Sequence, residues 1–326
     1  MRALTCTRIG GEEFVSVEEW PTQPCGPNQV RVDARAGSVN FPDVLMIRDL
    51  YQMKKEPPFI VGNEMSGVVT EVGSDVLDVA VGDRVLAITG AGAFAEEVLV
   101  TTPPLGVHRI PDEMPFDEAA AFNLTYGTAG HSWDRGRLQA GETVLVLGAA
   151  GGCGSAGVQI AKAMGATVIA VAGGAEKVAL CKELGADHAI DHHTAEALAP
   201  VVKELTGGRG VDVLFDTVGG TDVRDHLRCL GWNGRYLVVG FASGDVPTIG
   251  LNQTILKSIS VIGVGYGASA VADPQMNREL MGRLFSWYRE GKLTPHIGHR
   301  FPLDQGDEAL RVLWERRAMG KVVIEI

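Results

Sequence analysis

No Cys-x-x-Cys pair occurs in the 326 residues, and the five cysteines (Cys6, Cys25, Cys153, Cys181, Cys229) are odd in number and widely scattered. Neither a disulfide framework nor a cysteine zinc site is indicated. Positive charge is also scarce: 29 Lys and Arg stand against 40 Asp and Glu, a formal net charge of −11. An acidic surface repels phosphate backbones, so nucleic acid is not an expected partner. The stretch Met1–Arg8 holds no apolar signal core, and no uncharged run is long enough to span a bilayer. A cytoplasmic protein with no membrane partner is expected. Internal repeats and low-complexity segments are missing too.

What is present is enough for a packed core: 45% of residues are hydrophobic and 21% charged, which excludes a disordered chain. At ~100–200 residues per domain, the length predicts two domains, or one domain carrying an insertion. Glycine is abundant, with 42 residues against an average of about 7%. The glycines lie between apolar runs, where they mark turns and close backbone approaches.

Three regions differ in pattern. Up to about Ile110 the apolar runs are short and β-like, such as 13–17, 30–34, 67–72 and 84–88, with turn residues between them. From about Thr125 to Val264 strands alternate with helical stretches. Strands are expected at Thr143–Leu147, Thr167–Ala172, Ala189–Ile190, Val211–Asp216, Arg235–Val239 and Ile259–Val264. Helices are expected from Ser155, from Glu176, at 195–205 and at 221–230. That alternation predicts an α/β fold whose parallel sheet is covered on both faces. The last region carries two amphipathic helices, one through Met276, Leu280, Leu284 and Tyr288 and one over Asp307–Arg317. It ends in the strand that begins at Lys321. Such a tail can return to complete the first domain.

One stretch carries chemistry above all others: Val144-Leu-Val-Leu-Gly-Ala-Ala-Gly-Gly-Cys-Gly-Ser-Ala-Gly-Val-Gln-Ile-Ala-Lys162. A strand that ends in glycines and opens a helix lets backbone approach a pyrophosphate, with helix N–H groups aimed at the negative charge. The expected phosphate turn is Ala149, Ala150, Gly151, Gly152, Cys153 and Gly154, with Gly157 serving helix–sheet packing. In an NAD-preferring fold a carboxylate would follow the second strand. Here Gly173, Gly174, Ala175, Glu176 and Lys177 follow Ala172 instead. Lys177, His192 or His193 are available to a 2′-phosphate, although Glu176 opposes this and at least one of the histidines is expected to be plain polar loop. Cys153 is read as a small apolar filler and His131 as a packing histidine.

Together with Val30–Asp43, Val61–Gly67, Val81–Val85 and Thr125–Gly130, this turn resembles the medium-chain dehydrogenase/reductase family over essentially the whole chain. The runs Val39–Asp43, Leu124–Thr128 and Gly240–Asp245 are similar to the zinc-free, zeta-crystallin-like quinone oxidoreductase branch. The resemblance implies a GroES-like β-rich catalytic domain (1–122), an inserted Rossmann NADP(H)-binding domain (123–265) and a returning C-terminal segment (266–326). It implies a homodimer as well. Zinc members of the family carry cysteine at the position of Asn40 and histidine at that of Asn63. Asparagine is a poor zinc ligand, so no metal is expected.

By the same resemblance Asn40 and Thr128 lie at the nicotinamide, Lys177 and His192 at the 2′-phosphate, and Tyr51 in the substrate cleft. Phe241 and Val264 end late strands of the nucleotide sheet, and Gly173 takes the place of a serine. Asn40 and Tyr51 are thus the candidate catalytic residues. The expected reaction is hydride transfer from NADPH to a quinone or other conjugated carbonyl, a small electrophilic acceptor. The alternatives are reduction of an enoyl thioester or 2-alkenal, or NADPH binding without catalysis.

Overall fold

The computed structural model describes residues 1–102 and 106–326. In chain order the first strands are β1 (Arg2–Cys6), β2 (Val15–Glu19), β3 (Gln29–Val39), β4 (Phe59–Ile60), β5 (Glu64–Val72), β6 (Arg84–Ile88), β7 (Glu97–Thr101) and β8 (Val107–Arg109). The short helices α1 (Phe41–Met46) and α2 (Phe116–Ala120) and the longer α3 (Asn123–Arg135) accompany them. Then come β9 (Thr143–Leu147), α4 (Gly152–Ala163), β10 (Thr167–Ala172), α5 (Ala175–Glu183), β11 (His188–Asp191), α6 (Leu198–Leu205), β12 (Val211–Asp216), α7 (Val223–Cys229), β13 (Leu230–Val238), α8 (Asn252–Ile255) and β14 (Ser260–Gly263). The chain closes with α9 (Tyr266–Ala272), α10 (Pro274–Arg289), β15 (Ile297–Pro302), α11 (Gly306–Trp314) and β16 (Lys321–Glu325). Among the described residues no helix is long and apolar enough to cross a membrane.

Two units follow from the contacts. The first comprises Met1–Leu124, Gly267–Phe285 and Thr294–Ile326; the second comprises Thr125–Tyr266 and Ser286–Leu293. In the first, a seven-stranded sheet runs β15-β16-β3-β5-β6-β8, with β7 also on β3, beside a three-stranded sheet β2-β1-β4. Alternate residues of β3 (Val30, Val32, Ala34) point into a core with Met65, Val69, Val85 and Phe94, as a half-buried strand should. The terminal β16 adds antiparallel to β3, pairing Val322 with Val39. That register brings Lys321 beside Asn40.

The second unit holds six parallel strands in the order β11-β10-β9-β12-β13-β14, the doubly wound arrangement that the strand–helix alternation implies. Every residue of β9, Thr-Val-Leu-Val-Leu, is buried, because a central parallel strand is covered on both faces. At roughly 1.5–3 kcal/mol per buried aliphatic side chain, this strand anchors the unit. One face packs Leu145, Ile169 and Val171 against Val202 and Leu227. On the other, Trp133 of α3 packs on Phe215 with ring centroids 4.9 Å apart and planes tilted by 33°, and its Nε1 donates to Gly157 O at 3.1 Å.

Helix starts differ from the sequence expectations in both directions. α4 opens at Gly152, not near Ser155, because two glycines in its first turn weaken the local signal. The stretch from 195 becomes helical only at Leu198.

Candidate functional site

In the second unit the strand registers align Ala172 with Asp191, Val171 with Leu147, Leu147 with Asp216, Asp216 with Val238 and Val238 with Gly263. All six strands therefore end along one edge of the sheet. The residues that follow them are the predicted cofactor residues: Ala149–Gly154 after β9, Gly173 and Lys177 after β10, His192 after β11, Phe241 after β13 and Val264 after β14. An open α/β sheet binds its ligand at this carboxyl edge.

The turn after β9 is built for close approach. Gly148 holds φ +69°, its carbonyl accepts Gly151 N–H at 3.0 Å, and Ser155 N–H reaches Gly151 O at 2.8 Å. Gly154, in the first turn of α4, is pressed against this carbonyl. A Cβ there would lie 2.1 Å from Gly148 O, a distance no side chain survives. Gly157 meets Phe215, 3.3 Å from a notional Cβ, the packing role expected of it. The first helical turn has no carbonyl partners for its leading N–H groups, which suits a pyrophosphate.

At the tip of β10 no carboxylate points outward. Asp191 turns its Oδ1 to the N–H groups of Gly174 (3.0 Å) and His193 (2.9 Å), and these bonds hold its carboxyl below the usual range. Lys177 lies in the first turn of α5. These features fit a nicotinamide dinucleotide carrying a 2′-phosphate. Thr128 lies on α3, half-buried, and its carbonyl accepts the Ser132 hydroxyl at 2.7 Å. Phe241 packs over Gly219, 2.9 Å from a notional Cβ there, and Val264 N–H donates to Val238 O at 3.0 Å. Cys153 is half-buried within the turn, and His131 is a buried residue of α3 whose ring lies 6.1 Å from Tyr266.

The first unit places Asn40 in a buried polar cluster. Its Nδ2 donates to Ser38 O (2.9 Å) and to Glu64 Oε1 (2.8 Å), and its Oδ1 accepts from Lys321 Nζ at 2.6 Å. Lys321 Nζ also donates to Glu64 Oε1 (3.0 Å) and Val39 O (3.4 Å). Glu64 Oε2 takes Leu124 N–H at 2.8 Å. Asn40, Glu64 and Lys321 are each no more than 5% exposed. Beside them Asp43 accepts Asn40 N–H at 2.7 Å. Burial pushes the Asp43 carboxyl up to about 7, against the pull of that N–H and of Lys321. Tyr51 is half-buried and packs on the same unit's core.

This donor set does not fit a zinc ion. An ammonium already bridges the Asn40 and Glu64 oxygens, and the Asn40 amide faces the carboxylate with N–H rather than with a lone pair. No group of three or more His, Cys, Asp or Glu among the described residues could hold a metal.

Sequence reasoning missed Lys321 and Asp43. The available signal was a charge opening an otherwise apolar terminal strand, Lys321-Val-Val-Ile, and an aspartate three residues past Asn40 in a run of buried positions.

Comparison with known proteins agrees with this architecture. Residues 26–112 match the family model for the alcohol dehydrogenase GroES-like domain, and residues 152–285 match the one described as zinc-binding dehydrogenase. A quinone oxidoreductase-like protein 2 homolog from Nematostella vectensis is 40% identical over 99% of this chain and 88% of its own. A mycobacterial protein solved in complex with NADPH superposes with a TM-score of 0.92 at 30% identity, covering both chains fully. The quinone oxidoreductase of Escherichia coli, also solved with NADPH, gives 0.90 at 26% identity, again over both whole chains. With relatives matching from end to end and family models matching residues 26–112 and 152–285, the chain belongs to the medium-chain dehydrogenase/reductase superfamily, in its quinone oxidoreductase-like branch.

Proposed function

We propose that this chain is an NADPH-dependent, zinc-independent reductase that delivers a hydride to a quinone or another conjugated carbonyl acceptor. The observation that carries the reading is the tight glycine turn at the sheet's carboxyl edge, paired with a second strand whose tip offers no carboxylate. That combination accepts a pyrophosphate and favours a 2′-phosphate over a 2′-hydroxyl. NADPH supplies the hydride from its nicotinamide C4.

The remaining work falls to side chains. Both N–H groups of the Asn40 amide are spent on Ser38 O and Glu64, leaving an Oδ1 lone pair beside Lys321. Asn40 can therefore act as an acceptor, and the resemblance assigns it, like Thr128, to the nicotinamide end. All three Lys321 donors are engaged as well. A donor for the developing oxyanion has to come from elsewhere, and Tyr51, with a phenol O–H, is assigned that part. The Tyr51→Phe enzyme should turn over at least about tenfold more slowly, in line with lost general-acid assistance, while its NADPH affinity stays unchanged. A variant working at the parental rate would reduce Tyr51 to a wall of the pocket.

The deciding experiment is a panel of quinones, enones, enals and enoyl thioesters with NADPH, and NADH as control, followed by nicotinamide absorbance. Oxidation of NADPH by quinones or enones supports the reading. Strict preference for an enoyl thioester or enal transfers the assignment to that class. Tight NADPH binding with no turnover on any acceptor leaves a binding protein.

Assembly is proposed from the sheet edge. β14 ends the row of parallel strands, Val261 on it is exposed, and the neighbouring Leu251, Ile255 and Leu256 are each at least 74% exposed. An uncovered apolar edge invites strand pairing with a second copy about a twofold axis. Light scattering should report a dimer at micromolar concentration and a monomer for Val261→Lys. A wild-type monomer overturns it.

A further inference from the structure

In a doubly wound sheet the tip of the second strand decides between the two nicotinamide cofactors, because a carboxylate there takes the ribose 2′-OH of NADH. In this chain the tip residue is Gly173, yet the space beside it is not empty. A Cβ on Gly173 would lie 2.7 Å from His192 Nε2 and 2.8 Å from His193 Nε2. Two imidazole nitrogens thus converge on the position a side chain would occupy. The rings meet edge to face with centroids 4.5 Å apart, and both residues are exposed to solvent on their other sides.

The surroundings set what these rings can do. Asp191, from β11, has its Oδ1 on the Gly174 and His193 N–H groups, and the same oxygen lies 3.8 Å from His193 Nδ1. Lys177 acts from α5, raising the positive potential at His192. His193 therefore turns Nδ1 to a carboxylate and Nε2 to the strand tip. A histidine donates from both nitrogens only as the imidazolium, and a phosphate accepts hydrogen bonds without offering any at neutral pH.

We propose that His193 joins His192, which the resemblance alone already assigns to the 2′-phosphate, in holding that group at the tip of β10, and that His192 takes up a proton from solvent as NADPH binds. The proposal rests on NADPH being the cofactor and adds to it a chemical basis for discrimination. Before binding, His192 is kept below the usual imidazole range by burial, with His193 and Lys177 adding to the effect, so its ring is neutral near pH 7.5. A 2′-phosphate with a second pKa of about 6 arrives as a dianion and reverses that balance. The imidazolium formed then donates to a phosphate oxygen in a charge-assisted bond. NADH brings only a hydroxyl to the same place and draws no proton. Preference for NADPH should accordingly steepen as pH falls from 8 towards 6.5, then level off as the phosphate itself protonates.

The test is isothermal titration of the full-length protein with NADPH and with NADH, at pH 7.5, in buffers of different ionisation enthalpy. The expected result is uptake of about one proton per NADPH, none per NADH, and an NADPH affinity that rises up to about tenfold per pH unit between pH 8 and 7. His192→Ala/His193→Ala, both on the surface, should abolish the uptake and flatten the pH dependence of NADPH affinity, with thermal melts matching the parent to show that the fold is kept. NADPH binding tightly with no proton uptake, or with uptake unchanged in the double variant, overturns this proposal and leaves the cofactor assignment standing. NADPH binding no better than NADH at any pH overturns both.

Discussion

Gly154→Val should lose at least about a hundredfold in NADPH affinity, roughly 2.7 kcal/mol, together with a clear fall in Tm. The cause is geometric. The Cβ of any residue at 154 would lie 2.1 Å from Gly148 O and 2.8 Å from Ala149 Cα, and neither atom is the end of a flexible side chain. Either α4 moves off the turn or the turn is pushed out along the cofactor's path. Both movements misplace the first-turn N–H groups, whose preorganisation is what makes a helix N-terminus an anion site. Gly151→Ala is the matching control. Its Cβ would meet only Gly148 O, at an ordinary 3.4 Å, and φ at 151 is −82°. That variant should stay within about 0.5 kcal/mol of the parent's stability. Titration with NADPH beside thermal melts of both variants checks the pair, and unaltered NADPH affinity in Gly154→Val refutes the assignment of the turn.

The turn was legible because its signal is local: a strand, glycines and a helix follow one another within twenty residues. The six-strand sheet was legible for the same reason, since buried parallel strands such as β9 and β10 read as nearly continuous apolar runs. Helix α4 was placed three residues late because Gly152 and Gly154 are poor helix formers, and only the contact with Gly148 explains why they begin a helix. The first unit's polar cluster was legible only in part. Asn40 and Asn63 are visible as departures from a zinc pattern, but the ammonium that engages Asn40 and Glu64 sits 257 residues away from Glu64, on β16. No periodicity or spacing rule joins positions 40, 64 and 321. They meet because the terminal strand pairs Val322 with Val39, a long-range register. The two histidines facing Gly173 are a similar case, being adjacent in sequence to each other but brought to the strand tip by the pairing of β10 with β11.

Lys321→Met is expected to cost about 3–5 kcal/mol of stability, the usual penalty for removing one partner of a buried ion pair. The ammonium is 4% exposed and donates to Glu64, Asn40 and the Val39 carbonyl. Its loss leaves the Glu64 carboxylate inside the unit with only amide N–H partners, from Asn40 and Leu124. It also removes one of the pulls holding the Asp43 carboxyl down. Pairing the change with Glu64→Gln removes the stranded charge, so Lys321→Met/Glu64→Gln should regain most of the lost stability. Catalysis should not recover with it. Without the ammonium at Oδ1 and the carboxylate at Nδ2, only the bond to Ser38 O still holds the Asn40 amide, and on the proposed assignment of Asn40 to the nicotinamide end this looser hold lowers kcat through lost positioning. Denaturant melts and steady-state kinetics on the single and double variants separate the two effects. Wild-type kcat and KM for NADPH in a refolded, stable double variant would show that the cluster only supports the fold.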